Sequence, residues 1–122
     1  MAEDDSYLAP EVLEHIRITV MDWSHAYRES SPADIRVVST NRDDATELLS
    51  PGVRSELDPC YLVLLEGYFR VSWTLKLPEA TRVWAALKID PRSMSVGSFT
   101  VRPLEDFPSR PLSDLGTVYV LA

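Results

Sequence analysis

The sequence predicts an α+β fold: an N-terminal amphipathic helix packed on an antiparallel β-sheet meander, with a second short helix. Two observations lead to this prediction. A stripe of apolar residues at helical spacing lies near the N-terminus, and segments that alternate apolar and polar residues follow it. With 122 residues, the chain can fold as one domain without disulfide or metal staples. We therefore expect a single domain over residues 1–122, with residues 1–8 as a flexible tail.

The first helix is predicted to start at Pro10, a residue that suits a first turn because the backbone donor there has no intrahelical partner. It ends near Ser31, since a residue that precedes a proline is pushed out of the helical region and Pro32 follows. Between these points, apolar residues three or four positions apart form one continuous face: Val12, Ile16, Val20, Trp23 and Tyr27.

A short strand and a short helix follow. Residues 34–40 are rich in β-branched side chains and predict a strand. Residues 41–49 predict a helix, because Thr40 or Asn41 can serve as its N-cap and acidic residues lie in its first turn.

A long strand is predicted over residues 61–77, in which one face is apolar and, from Glu66 onward, the other is polar. Leu62 and Leu64 make both faces apolar at its start, so we expect this end to be covered on both sides. Gly67 lies on the inner face and predicts either close approach of the helix or a bulge. Alternatively, Gly67 opens the floor of a pocket beneath the helix.

Two further strands, over residues 81–89 and 94–101, form a predicted hairpin around a turn at residues 90–93. Residues 102–112 contain three prolines and predict an extended irregular segment, and residues 117–122 predict a short edge strand. In the first strand of the hairpin, alternate side chains are expected to point away from the helix: Arg82, Trp84, Ala86 and Lys88.

Several stretches resemble a family of small uncharacterised actinobacterial proteins of PepSY-like or cystatin-like plan. These stretches are "PADIRVVST", "YLVLLEGYFR", "VWAALKIDPRSMSVG" and "PLSDLGTVYVL", and together they extend over most of the chain. The resemblance implies a helix packed on an antiparallel sheet, and it supplies no catalytic or cofactor-binding residue. The chain departs from the family pattern at Ser93-Met94, where a Thr-Gly turn is usual, so the tip of the hairpin is expected to differ.

The net charge of −7 is concentrated near the N-terminus. Residues 1–34 carry −6, residues 35–59 carry −2 and residues 60–122 carry +1. Nucleic-acid binding is disfavoured because phosphate contacts require a basic stripe. The chain has no apolar run of about 18 residues, so no membrane span is predicted. Its acidic N-terminus contains no apolar signal segment. We expect a cytoplasmic protein, or an exported one if a leader has been removed.

The sequence contains no residue set with catalytic or metal-binding spacing, so we predict neither an enzyme nor a cofactor. His15 and His25 are expected roughly 15 Å apart along one helix and cannot share a metal without a bend in it. Asp22 could pair with His25, but no nucleophile can be placed beside that pair. Cys60 lies in an apolar stretch and is expected to be a small buried hydrophobic residue.

The remaining candidate site is an aromatic and basic surface on the sheet face that points away from the helix. Exposed Trp, Tyr and Arg residues are those that protein interfaces favour. The predicted members of this surface are Trp84, Arg82, Tyr68, Arg70 and Lys88. The surface favours a non-catalytic module that binds a protein or peptide through the sheet face or an edge strand.

Two alternatives remain open at this point. The acidic N-terminal third could block a basic partner, as an inhibitor or immunity-type protein does. A pocket between helix and sheet near Gly67 could instead hold a small molecule. An exposed sheet edge would also allow pairing with a second copy, which would give a homodimer through the sheet.

Overall fold

The computed structural model describes residues 7–78 and 81–121. In this part of the chain, two α-helices and five strands form an α+β fold around one antiparallel sheet, as predicted. The helices are α1 (Pro10–Ala26) and α2 (Arg42–Leu49), and the strands are β1 (Ala33–Asn41), β2 (Pro59–Gly67), β3 (Val83–Asp90), β4 (Ser95–Pro103) and β5 (Tyr119–Val120). The strand order is β4-β3-β2-β1-β5, so β4 and β5 are the two edges of the sheet.

α1 packs on one face of the sheet, here named the inner face. The predicted apolar stripe is the contact surface, with Ile16, Val20 and Trp23 buried at its centre. Burial of such side chains supplies most of the stability of a helix in water, because an isolated helix of this length is marginal. The inner face of the sheet completes this core with Ile35, Val37, Val63, Leu65, Val83, Ala85, Leu87, Ile89 and Val101.

The opposite face of the sheet, here named the outer face, is covered as well. α2 and the segment that follows β4 lie over it and form a second core. The buried members of this core are Val38, Ala45, Leu48, Leu49, Cys60, Leu62, Leu64, Trp84, Ala86 and Leu112. The prediction that both faces are covered near Leu62 and Leu64 is therefore correct, and the sheet is the middle of three layers.

The N-cap of α2 is Asn41, one of the two predicted candidates, and its Oδ1 accepts the backbone N–H of Asp44 at 2.8 Å. Asp43, in the first turn, is buried and accepts hydrogen bonds from the Arg54 guanidinium at 2.6 Å and from the Ser55 backbone N–H at 2.8 Å. α2 contacts β1 and β2.

The predicted strand over residues 61–77 is wrong in its second half. β2 ends at Gly67, and the following residues form a loop with a short 3₁₀ turn. Buried Thr74 holds this loop closed, because its hydroxyl accepts the Val71 N–H at 2.9 Å and lies 3.0 Å from the Phe69 carbonyl oxygen. The alternation of apolar and polar residues beyond Gly67 belongs to this loop and not to a pleated strand.

The predicted N-terminal tail also needs a correction. Residues 1–6 lie outside the described residues, but Leu8 is buried in the inner core. Its backbone N–H donates to the hydroxyl of Tyr119 at 2.9 Å. Because its side chain is packed and its backbone donor is satisfied, Leu8 belongs to the folded domain.

β3 and β4 form the predicted hairpin. Lys88 pairs with Ser98 and Ile89 pairs with Val96, so Gly97 is an extra residue on β4 and forms a β-bulge. At the other edge, β5 pairs with β1 as a strand of only two residues. Within residues 7–78 and 81–121, no helix has the length and hydropathy needed to cross a bilayer.

Candidate binding groove

Trp84, the centre of the predicted interaction surface, is not exposed. Its exposed fraction is 0%, and its ring contacts Phe107 edge-on at a centroid distance of 5.4 Å. The guanidinium of Arg102 lies 5.7 Å from the centre of the same ring. The prediction is wrong because it treated the outer face as open, whereas α2 and the segment after β4 bury it. Trp84 is a core residue and cannot contact a partner directly.

The other predicted members do not form one surface. Arg82 precedes β3 and forms an ion pair with Glu66, with Nε 3.3 Å from Oε1. Tyr68 is exposed in the loop after β2, and the Arg70 N–H donates to the Tyr27 carbonyl in that loop. Lys88 lies six residues from Arg82 along the strand, about 20 Å away at the usual rise. Only Lys88 belongs to the groove described next.

A groove on the outer face separates α2 from the edge strand β4. It has a volume of about 230 Å³. Its floor is formed by residues of β3 and β4, and its wall by the last turn of α2. The lining residues are Thr46, Leu49, Ser50, Ala86, Lys88, Ser98, Phe99, Thr100 and Arg102.

Two cations span this groove. The Lys88 ammonium donates to the Thr46 hydroxyl at 2.6 Å. The Arg102 guanidinium donates to the Leu49 carbonyl at 2.7 Å and to the Ser50 hydroxyl at 3.0 Å. These bonds hold α2 against β3 and β4 and orient both positive groups toward the groove wall.

A second cavity of about 250 Å³ continues from the groove toward the β3–β4 turn and shares Lys88 and Ser98 with it. Arg42, from the start of α2, and Arg92, from the turn, also line this cavity. Its acidic lining residues are Asp58 and Asp90. We name the two cavities together the basic groove, with the polar members Arg42, Thr46, Ser50, Lys88, Arg92, Ser98, Thr100 and Arg102.

Charge and burial act together at the junction of the two cavities. Partial burial lowers the pKa of Lys88, and the positive charge of Arg42 lowers it further. Burial raises the pKa of the Cys60 thiol to about 11, although Lys88 and Arg42 oppose that rise. Cys60 therefore stays protonated near neutral pH and is unsuited to act as a nucleophile. It is buried, as predicted.

The basic groove runs beside the free edge of the sheet. β4 pairs only with β3 in the described part of the chain, so half of its backbone N–H and C=O groups point away from the sheet. On the inner side of this edge, the ring of Phe99 packs against Trp23 and Tyr27, yet 41% of its surface remains exposed. The edge therefore has a polar outer side and an aromatic inner side.

Sequence reasoning missed most members of the basic groove. Alternate polar residues on β4, at Ser98, Thr100 and Arg102, were a readable signal that one face of this strand is hydrophilic. Their proximity to Arg42 was not readable, because it depends on how α2 packs across the sheet. The donors in the groove are ammonium, guanidinium and hydroxyl groups, which suit anionic acceptors.

The space above Gly67 is filled rather than open. A Cβ atom on Gly67 would lie 2.9 Å from both Cγ and Oε2 of Glu29 and 3.1 Å from Cζ of Phe69. Gly67 therefore permits close approach of another part of the chain, as one of the three predicted roles required, but the part that approaches is the segment after α1 rather than the helix itself. It does not form the floor of a pocket.

Comparison of the chain with protein-family models, with curated proteins and with solved structures found no match. The resemblance to a PepSY-like or cystatin-like family therefore stays a prediction. Among the residues that the structure describes, no group of three or more His, Cys, Asp or Glu side chains is arranged to hold a metal ion.

Proposed function

We propose that this protein is a non-catalytic module that binds an extended peptide along the free edge of β4. Acidic side chains of the peptide enter the basic groove. The observation that supports this proposal best is the alignment of the groove with that edge, because residues of β4 itself line the groove. Strand addition to a sheet edge is a general mode of peptide recognition in which backbone bonds provide affinity and side-chain pockets provide specificity.

The geometry of an added strand predicts the pattern of the peptide. Its side chains would alternate between the two faces of the sheet and lie about 5 Å from their neighbours on β4. On the outer face those neighbours are Ser98, Thr100 and Arg102, and on the inner face the main one is Phe99. A matching peptide therefore alternates acidic residues with apolar or aromatic ones.

Charge complementarity favours an acidic peptide over a neutral one. An ion pair requires a nitrogen–oxygen distance of 4.0 Å or less. Among the described residues, neither Lys88 nor Arg102 forms one. Both groups hydrogen-bond only to uncharged oxygens. A carboxylate brought beside them would gain charge-assisted hydrogen bonds that no group of the described chain supplies.

This proposal keeps the predicted class of function but moves the surface from Trp84 to the edge of β4. The small-molecule alternative loses its predicted location because Glu29 fills the space at Gly67. The acidic-inhibitor alternative predicts the opposite selectivity, since a basic partner would bind near α1 and avoid the basic groove.

The test is a selection from a displayed library of random nine-residue peptides against the wild-type protein. We expect enriched peptides to alternate acidic and apolar residues. In hydrogen exchange, the selected peptide should protect backbone amides within residues 95–103. Enrichment of basic peptides, or protection confined to α1, would contradict the proposal.

A pair of adjacent proline substitutions provides a matched control for the edge. Successive residues of a strand direct their N–H groups to opposite sides. Of the two substitutions Thr100→Pro and Val101→Pro, one therefore removes an N–H that points away from the sheet. The other removes an N–H that donates to β3. The variant of this pair that better retains its melting temperature should lose binding of the selected peptide by at least about tenfold. Unchanged affinity in that variant would exclude edge pairing.

A further inference from the structure

We infer that the end of the basic groove nearest the β3–β4 turn is a subsite for a dianionic phosphate group, carried by a side chain of the bound peptide. Three cationic side chains line this cavity from three different elements: Arg42 from α2, Lys88 from β3 and Arg92 from the turn. The inference deepens the proposed function and rests on it, because the phosphate would be one of the acidic groups of the same peptide.

The three cations gather here without a neutralising ion pair. In residues 7–78 and 81–121, none of the ion pairs within 4.0 Å involves Arg42, Lys88 or Arg92. Lys88 is half-buried, whereas Arg42 and Arg92 are exposed; burial lowers the pKa of Lys88 most, and repulsion by the positive charge of Arg42 lowers it further. A bound anion would remove this repulsion and would be held most strongly where two or more cations converge.

The cavity has the room and the donors that a phosphate requires. Its volume of about 250 Å³ is several times the roughly 30 Å³ that one water molecule occupies in the liquid. The hydrogen bond to Thr46 uses one of the three N–H groups of Lys88, which leaves two for a ligand. Ser98 adds a hydroxyl at the boundary with the rest of the groove.

Two carboxylates also line the cavity, those of Asp58 and Asp90, and both residues are exposed. Asp90 accepts the backbone N–H of Arg92 at 2.8 Å, so it serves the turn. The backbone carbonyl of Asp58 accepts the Arg42 N–H at 2.8 Å. With the Cys60 thiol neutral, the lining carries a net charge of +1, which favours an anion over a cation.

The experiment titrates the full protein with inorganic phosphate and, separately, with free phosphoserine at constant ionic strength, and records amide chemical shifts by NMR. We expect the largest shifts at Arg42, Lys88, Arg92 and Ser98 with both probes. Arg42→Gln and Lys88→Gln should each weaken binding by about tenfold, because each removes charge-assisted hydrogen bonds to the anion. Arg42→Gln is the safer variant, since its side chain makes no hydrogen bond within the described residues.

Lys76→Gln and Arg36→Gln are matched controls that remove the same charge outside the cavity, and they should leave binding unchanged. Shifts scattered over the surface, or equal losses in the controls and the groove variants, would overturn the subsite. If phosphate does not bind there while acidic library peptides still protect residues 95–103, the subsite is refuted and the proposed function stands. If phosphate binds at the cavity but no peptide pairs with β4, the proposed function fails and a peptide-borne phosphate is excluded.

Discussion

Glu29 joins the segment after α1 to the residue that follows β2 through one carboxylate oxygen, and its other oxygen bonds within its own segment. One accepts the backbone N–H of Tyr68 at 2.8 Å, and the other accepts the backbone N–H of Ser31 at 2.9 Å. The side chain can lie there only because Gly67 has no Cβ. The break in the apolar run at Glu66-Gly67 is therefore architectural, since it lets the chain after α1 bind the end of the strand.

We predict that Gly67→Ala lowers the free energy of unfolding by roughly 1 to 2 kcal/mol. The added methyl group would displace the Glu29 side chain and leave backbone donors without their acceptor. Chemical denaturation of the variant and the wild type measures this difference.

Glu29→Ala supplies the control for this prediction. In the Glu29→Ala protein, the space that the Glu29 side chain fills beside Gly67 is empty. Adding Gly67→Ala to that protein should therefore lower the free energy of unfolding by clearly less than it does in the wild type. The two substitutions should therefore be non-additive in a double-mutant cycle. Strictly additive losses would show that Gly67 and Glu29 do not interact as described.

Among the elements of the fold, the segment after β4 covers part of the outer face of the sheet, a role that its composition did not predict. The sequence predicted an irregular segment over residues 102–112; residues 102 and 103 instead end β4, and the backbone after them is irregular apart from short 3₁₀ turns. Yet Phe107 and Leu112 lie over the outer face and help to bury Trp84. Irregular backbone can cover a sheet when its few apolar side chains fill the gaps that a helix leaves.

We predict that Leu112→Ala destabilises the protein by about 2 to 3 kcal/mol, because it removes buried apolar atoms and leaves a cavity in the outer core. Leu112 is only 7% exposed. Leu104→Ala, in the same segment, is the matched control: Leu104 is 41% exposed, and its loss should change stability by less than about 0.5 kcal/mol. Equal effects of the two substitutions in thermal or chemical unfolding would mean that this segment does not cover the sheet.

At the scale of the whole molecule, the basic groove lies on a protein of net charge −7. At long range an acidic peptide encounters the net negative charge, whereas at contact it encounters Lys88 and Arg102. The balance between the two depends on screening. The Debye length is about 30 Å at 0.01 M salt, comparable with the size of such a domain, and about 8 Å at 0.15 M.

We therefore predict that raising NaCl from about 0.01 to 0.15 M increases both the association and the dissociation rate of a selected acidic peptide, each severalfold. Association rises because the repulsion by the whole molecule is screened, and dissociation rises because the attraction within the groove weakens. Stopped-flow fluorescence at a series of salt concentrations measures both rates. An association rate that falls steadily with salt would show that attraction by the groove dominates at every distance.

The elements whose periodicity is long and regular were predictable from the residues alone. The stripe from Val12 to Tyr27 predicted α1 and its buried face, and the alternation around Val63 and Leu87 predicted the central strands. Asn41 predicted the start of α2 through its side-chain cap. These features are local, because each depends on spacing or hydrogen bonding within a few residues.

The layers that cover each face of the sheet, and the polar residues that come together, depend on long-range packing and were not predictable from local patterns. The alternation beyond Gly67 reads equally well as a strand, and the side-chain bonds of Thr74 turn it into a loop. Trp84 alternates with core residues as a solvent-facing residue would, and it is buried because α2 and Leu112 lie over it. Arg42 and Arg92 are fifty residues apart in sequence and line one cavity because antiparallel pairing brings their elements together. Periodicity assigns a side chain to a face of the sheet, but whether that face meets water depends on contacts between residues distant in the chain.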